Sequence, residues 1–166
     1  MSTTGWRRSL SLAAVICATL GVAACSNDKD LADASAFGAG AATPGSAQDF
    51  VVNVGDRVYF DLDSYSVRAE AQPRLDAQAQ WLQRYPSVTV RIEGNADERG
   101  TREYNLALGA RRAESVRTYL INRGIPAGRI DTISFGKERP IAEGSNEDAF
   151  ARNRNAHTAI VSGAPR

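Results

Sequence analysis

The chain has 166 residues, enough for one domain and a tether but not for several domains. Lys and Arg number 20 against 19 Asp and Glu, a formal net charge of +1, so the charge balance gives no reason to expect a nucleic-acid partner. Only two cysteines are present, Cys17 and Cys25, which excludes a Cys-rich metal site.

The N-terminus opens with Trp6-Arg7-Arg8, followed by an apolar run from Leu10 to Ala24. A basic start, an apolar stretch and small residues at its end predict a secretory signal peptide over residues 1–24. The run is 15 residues long, short of the roughly 20 that a membrane-spanning helix needs. Leu20-Gly21-Val22-Ala23-Ala24 followed by Cys25 resembles a bacterial lipobox. That resemblance implies a mature chain starting at Cys25, with a diacylglyceryl thioether and an N-acyl group. One acyl chain binds a membrane only marginally and two hold firmly, so three would anchor it permanently. Ser26, in place of an aspartate, resembles an outer-membrane address. Removing residues 1–24 leaves 142 residues and takes Arg7 and Arg8 away, so the mature net charge falls to about −1. Cys17 leaves with the leader and Cys25 is spent on lipid, so the mature domain is expected to have no disulfide.

Residues 25–49 read as a lipidated N-terminus and flexible linker. The segment is rich in Ala, Gly, Ser and Asp, contains Pro44-Gly45, and offers few large apolar groups to offset ordering entropy. Its root-mean-square reach is roughly 25–30 Å, and fully stretched it spans roughly 80 Å.

Residues 50–166 read as a globular domain. Val58 and Phe60 alternate with Arg57 and Tyr59, predicting a strand that ends at Asp61-Leu62-Asp63. A helix follows over 72–84, with Pro73 in its first turn and Leu75, Ala79 and Leu82 on one face beside Trp81. Pro86 stops it. Residues 87–93 alternate as a strand, with Val88, Val90 and Ile92 facing a core. Gly94 to Gly100 is a polar loop. The strongest helix runs from Tyr104 to Asn122 and is closed by Gly124 and Pro126. Ile130, Ile133 and Phe135 mark a third strand ending at Gly136. A loop with a helical turn leads through Phe150 to a last strand over 156–161. The order β-α-β-α-β-β predicts an α+β two-layer sandwich, with two main helices on one face of a small mixed sheet.

Polar residues concentrate in Gly94-Asn95-Ala96-Asp97-Glu98-Arg99-Gly100-Thr101 and continue through Asn105 to Arg111-Arg112-Ala113. On a helical wheel Gly109, Ala113, Val116 and Leu120 form the buried stripe. Arg111 lies roughly 170° from its centre, in water, and Arg112 roughly 70° away, at the rim. The stem of Arg112 is expected to pack while its head points into a cleft. A planar guanidinium there suits a carboxylate, and Asp97 suits an ammonium. The same residues also admit plainer roles: Asp97 or Thr101 as a helix cap, and Arg112 as the partner of a nearby glutamate.

The run from Gly94 to Gly109, then Arg111-Arg112-Ala113, resembles the signature of OmpA-like peptidoglycan-binding domains, and with the lipobox it resembles their lipid-anchored branch. Val58 to Asp63, Ser134 to Pro140 and Asn153-Arg154 fit the same pattern, so the likeness covers about residues 51–161. The resemblance implies that Asp97 and Arg112 hold meso-diaminopimelate in the peptide stem of peptidoglycan, with Asp63, Leu108, Asn153 and Arg154 as the pocket wall. It also implies a place in the outer membrane with the domain facing the periplasm. The implied partners are peptidoglycan and the periplasmic propeller protein TolB with the other Tol proteins, and the implied role is in envelope constriction at division. No cofactor is implied. Asn95 stands where many members carry histidine, and Asn155 where an arginine often follows Asn-Arg, which is expected to weaken charge support at that edge.

Two other functions compete with a non-enzymatic clamp between membrane and wall. One is a cell-wall hydrolase using Asp97 and Glu98, although adjacent acids in a loop do not face a bond from opposite sides. The other is a protein-interaction module without wall binding. His157, the only histidine, falls in a predicted strand, and neither a Gly-x-Ser-x-Gly elbow nor a phosphate loop is present.

Overall fold

A computed structural model of the chain describes residues 42–165. The expectations for the leader, for lipidation at Cys25 and for the linker as far as residue 41 lie outside the described residues.

Among the described residues, burial precedes the expected domain start at residue 50: Gly45 and Ser46 are already buried, and Gly45 N donates to Asp49 Oδ2 at 2.8 Å. Ser46 caps a short helix α1 (Ala47–Asp49) by accepting from Asp49 N, and Phe50–Val54 extend it as a wider turn. The anchors are polar as well as apolar. Asp49 accepts from the Trp81 indole N–H at 2.8 Å, and the buried Phe50 ring meets Trp81 edge-on with centroids 4.9 Å apart. A reading weighted on apolar content does not register Ser46 and Asp49.

The remaining elements are β1 (Arg57–Tyr59), α2 (Gln72–Arg84), β2 (Thr89–Asn95), α3 (Arg102–Asn122), β3 (Ile130–Gly136), α4 (Glu147–Asn153) and β4 (Asn155–Ser162). The sheet order is β1-β4-β2-β3. β2 and β3 are parallel, and β4 runs antiparallel to both β1 and β2. This is the α+β architecture with a small mixed sheet that the alternation of patterns predicts, with the late helical turn realised as α4. β1 is shorter than expected and stops at Tyr59, although Phe60 N still donates to Arg154 O at 2.9 Å.

The core forms where the period-2 face of the strands meets the helical stripes. Val58, Val90, Ile92, Ile130 and Ala156 of the strands, with Val88 just before β2, pack with Leu75, Ala79, Trp81 and Leu82 of α2 and with Ala113, Val116 and Leu120 of α3. Fully burying each of the large aliphatic side chains contributes about 1.5–3 kcal/mol. α3 approaches β2 with no side chain between them at one point. A Cβ on Gly94 would overlap the carbonyl of Gly109, and a Cβ on Gly109 would meet Ser134 Oγ and Gly94 O. Only glycine on both sides permits that approach. It lays α3 beside the end of β2, where the polar loop begins.

Candidate functional site

The polar loop leaves β2 at Asn95 and enters α3 at Thr101. Thr101 is the cap: its hydroxyl accepts from Tyr104 N at 3.2 Å. Asp97 is therefore free of that duty. Lys137, just past β3, clamps the loop by donating to Glu98 O at 3.0 Å and Gly100 O at 2.8 Å. Asn105 Nδ2 donates to Arg99 O at 2.7 Å from within α3. A short loop whose one apolar side chain is the small, buried Ala96 is thus held largely through its carbonyls.

Asp97, only 5 % exposed, is enclosed by arginines. Its Oδ1 accepts from Arg99 N at 3.1 Å and Arg99 Nε at 3.2 Å. Its Oδ2 accepts from Arg99 Nη2 at 2.6 Å and Arg154 Nη1 at 3.3 Å. Burial alone pushes this carboxyl up, but the hydrogen bonds from the Arg99 side chain and backbone and from Arg154 outweigh it and hold it below its ordinary 3.8. The carboxylate is therefore ionised throughout the neutral range. Because its folded pKa is depressed, its contribution to stability is present above 3.8 and is lost as pH falls through the lower folded value. The urea midpoint of the wild type is expected to exceed that of Asp97→Asn by a constant margin from pH 7 to about 5, and the margin should close only in stronger acid. A margin that closes near neutrality would contradict the depressed carboxyl.

Arg112 departs from its expected place. It is fully buried, not at the rim, and its donors go to backbone carbonyls instead of a glutamate. Its Nε donates to Ser64 O at 2.8 Å, Nη1 to Asn95 O at 2.8 Å and Nη2 to Asp61 O at 3.1 Å. The Gly94–Gly109 approach seats α3 so deeply that a side chain off the stripe centre still enters the interior. Burial pulls the guanidinium down to about 10, still cationic at neutral pH. A guanidinium carries five N–H donors. With three used, one N–H remains on each terminal nitrogen, so the guanidinium keeps donors for a further acceptor.

Asp97 and Arg112 line one cavity of about 250 Å³, together with Asp63, Leu108 and Arg154 from the expected set. Asn153 is not in its wall. Its amide accepts from Ile141 N and Ala142 N and donates to Ala142 O, so it pins the segment before α4. Arg154 reaches the cavity from the opposite side, donating also to Phe60 O at 3.1 Å and Glu147 Oε1 at 2.7 Å. Asp63 holds a left-handed φ of 53°, tolerated by Asp better than by most residues, and its carboxylate accepts from the Tyr104 hydroxyl.

Arg99, Tyr104, Leu62, Ala96, Gly100 and Asn105 also line this cavity; most of them lie in the polar stretch that the sequence marks, but none is among the expected pocket residues. Arg99 lies two residues from Asp97, a spacing at which a side chain can fold back onto its neighbour's carboxylate, so its signal was present but unspecific. Asn95 and Asn155, the two positions that depart from the family pattern, bond to each other: Asn95 Nδ2 donates to Asn155 Oδ1 at 3.0 Å. They form one buried pair, an amide hydrogen bond at the edge where charge support was expected to be weaker.

A larger groove of about 560 Å³ lies along β1 and the start of α2. Its arginines are engaged: Arg74 donates to Arg57 O, Arg57 to Asn155 Oδ1, and Arg68 faces Asp61 and Glu70. No helix among the described residues is long and apolar enough to cross a membrane.

The OmpA family profile matches residues 59–154, which contain every residue of the Asp97–Arg112 cavity. A peptidoglycan-associated lipoprotein of Rhizobium meliloti (strain 1021) is 57 % identical over 145 residues, 86 % of this chain and 82 % of that one. One of Brucella melitensis is 56 % identical over 151 residues, 89 % of each chain. Among solved structures, the peptidoglycan-associated lipoprotein of Burkholderia pseudomallei superposes with a TM-score of 0.63 at 46 % identity, covering 64 % of this chain and 90 % of that chain. The C-terminal domain of Helicobacter pylori MotB superposes with a TM-score of 0.60 at 21 % identity over 64 % of this chain and 84 % of its own, a likeness of fold alone.

Proposed function

The chain belongs to the OmpA family, and on that footing we propose that it grips peptidoglycan non-covalently through the cavity between Asp97 and Arg112. The observation that carries this reading is the pairing of opposite charges in one small cavity. An ionised Asp97 and a cationic Arg112 with two N–H groups to spare line the same 250 Å³ space. The free end of meso-diaminopimelate bears an ammonium and a carboxylate on one carbon, and a matched acid and guanidinium complement it. Leu108 and Ala96 supply apolar wall for its methylenes.

The wider reading joins this grip to the other end of the chain. Cys25 carries the lipid, residues 25 to about 45 act as the tether, and the domain faces the periplasm from the outer membrane. The chain then links membrane to wall and works with TolB and the other Tol proteins in the Tol-Pal system, supporting envelope integrity and invagination at division. The lipobox and the relatives' names support the lipid anchor and the association with the wall; the Tol partners and the role at division rest on the family resemblance.

The hydrolase reading fares worse. A general acid needs a raised pKa, whereas Asp97 is held low by its arginines. Glu98 is exposed to water beyond the cavity wall.

The test is a titration of the full chain with diaminopimelate-containing stem peptide against its lysine analogue, which lacks only the terminal carboxylate. At least about tenfold weaker binding of the lysine peptide is expected, because Arg112 would be left with unpaired donors. Equal affinities would overturn the assignment, and release of soluble muropeptides from intact wall would overturn the non-enzymatic reading.

A further inference from the structure

The Asp97 carboxylate has no seat left for an incoming cation. An ionised carboxylate offers about four lone-pair sites. Four donors already fill them: Arg99 N, Nε and Nη2, and Arg154 Nη1. A ligand ammonium can bond Asp97 only by displacing one of these groups.

The two arginines are not equally free to leave. The Arg154 side chain is 8 % exposed and also donates to Phe60 O and Glu147, so removing it would strand a buried carbonyl. The Arg99 side chain is 38 % exposed and leaves no other acceptor behind. It also has somewhere to go. Its guanidinium already lies over the Phe150 ring at 4.4 Å, and its Nη1 is 3.6 Å from Glu147 Oε2 on α4. A pivot on the ring face moves it from Asp97 toward Glu147 without exposing an unpaired charge.

Accordingly, we infer that Arg99 is a displaceable gate that occupies the ammonium seat on Asp97 and yields it to a ligand cation by moving onto Phe150 and Glu147. This rests on the proposed reading of the cavity as a zwitterion site and adds a selection rule to it. Three guanidiniums, Arg99, Arg112 and Arg154, surround one buried carboxylate. A ligand that brings only a carboxylate can meet Arg112 and leave the gate shut. A ligand that brings both charges exchanges its ammonium for Arg99, cation for cation, so the local charge balance is kept. Arg99 thus sets the cost of the ammonium half of recognition, and its release places a second cation beside Glu147 on the outer face of α4.

The test uses the full chain, wild type and Arg99→Gln, titrated with diaminopimelate-containing stem peptide and with the same peptide acetylated on its side-chain amine. Arg99→Gln is expected to bind the free-amine peptide about tenfold tighter, since one charge-assisted competitor is gone, while the acetylated peptide binds both proteins alike. Arg99→Lys, which can hold only one carboxylate oxygen at a time, should fall between them and also serves if the glutamine variant folds poorly. An unchanged or weaker affinity of Arg99→Gln for the free-amine peptide overturns the gate alone. A gain shared equally by both peptides also overturns it, because Arg99 would then only obstruct entry. A wild type that binds both peptides equally overturns the zwitterion reading together with the gate.

Discussion

Replacing Arg112 with leucine is expected to destabilise the domain by about 3–5 kcal/mol, the range for removing one member of a buried charged network. The cost is to the fold before it is to any ligand. Arg112 donates to the carbonyls of Asp61, Ser64 and Asn95, so it ties the segment after β1 to the end of β2 through the body of α3. Leucine fills much of the space but leaves the three carbonyls short of a partner, each at about 1–3 kcal/mol where it stays buried. The guanidinium also lies 5.2 Å from the Phe60 ring centroid, a cation–ring attraction that leucine cannot reproduce. Lysine should recover little, because one ammonium at the end of a flexible stem cannot span three carbonyls held in a fork. Urea unfolding at unchanged slope is the measurement. A midpoint within a few tenths molar of wild type would show that these bonds carry no net stability. Loss of wall binding in an Arg112 variant has to be read under conditions where the variant is folded.

Asp97→Asn is expected to cost stability too, because its amide sets a donor against the Arg99 and Arg154 donors, but its larger effect is on binding. Asparagine keeps the shape and one acceptor oxygen but removes the carboxylate that Arg99 and Arg154 both bond beside Arg112. Asp63, the other acid of the wall, already accepts from Tyr104. An incoming ammonium would then meet Arg99 and Arg154 without the carboxylate that seats it. Affinity for diaminopimelate-containing stem peptide should fall about a hundredfold, the charge-assisted seat for its ammonium being lost. Affinity within twofold of wild type would remove Asp97 from the site. Arg99 should lose its gating effect in this background, so Arg99→Gln should change little when Asp97 is already Asn. That non-additivity is the signature of two residues acting on one seat.

Much of the fold was legible because it follows from short-range patterns. The period-2 run Val88, Val90, Ile92 and the stripe Gly109, Ala113, Val116, Leu120 are buried as their spacing requires. α2 has the bounds that Pro73 and Pro86 set for it. The site was less legible. The loop from Asn95 to Thr101 advertises polar chemistry, but nothing local says that Arg99 folds back on Asp97 or that Asn153 turns away to Ala142. The wheel put Arg112 on the correct side of α3 relative to the exposed Arg111, yet it misjudged depth, because depth depends on how closely α3 approaches β2.

The sequence alone therefore determined the α+β class, the order of elements, the family signature and the identity of the charged residues, since each of these is written in neighbours along the chain. Tertiary structure decided that Asp97, Arg112 and Arg154 share one cavity, that Arg112 spends three of its donors on the backbone, and that Arg99 fills the seat on Asp97. Those outcomes depend on the close approach of Gly94 and Gly109 and on the pairing of β4 with β1, which brings Arg154, just before β4, beside Phe60. Helical and strand periodicity measure which way a side chain faces. They carry no measure of the distance between elements, and it is that distance which turned a rim arginine into a buried one.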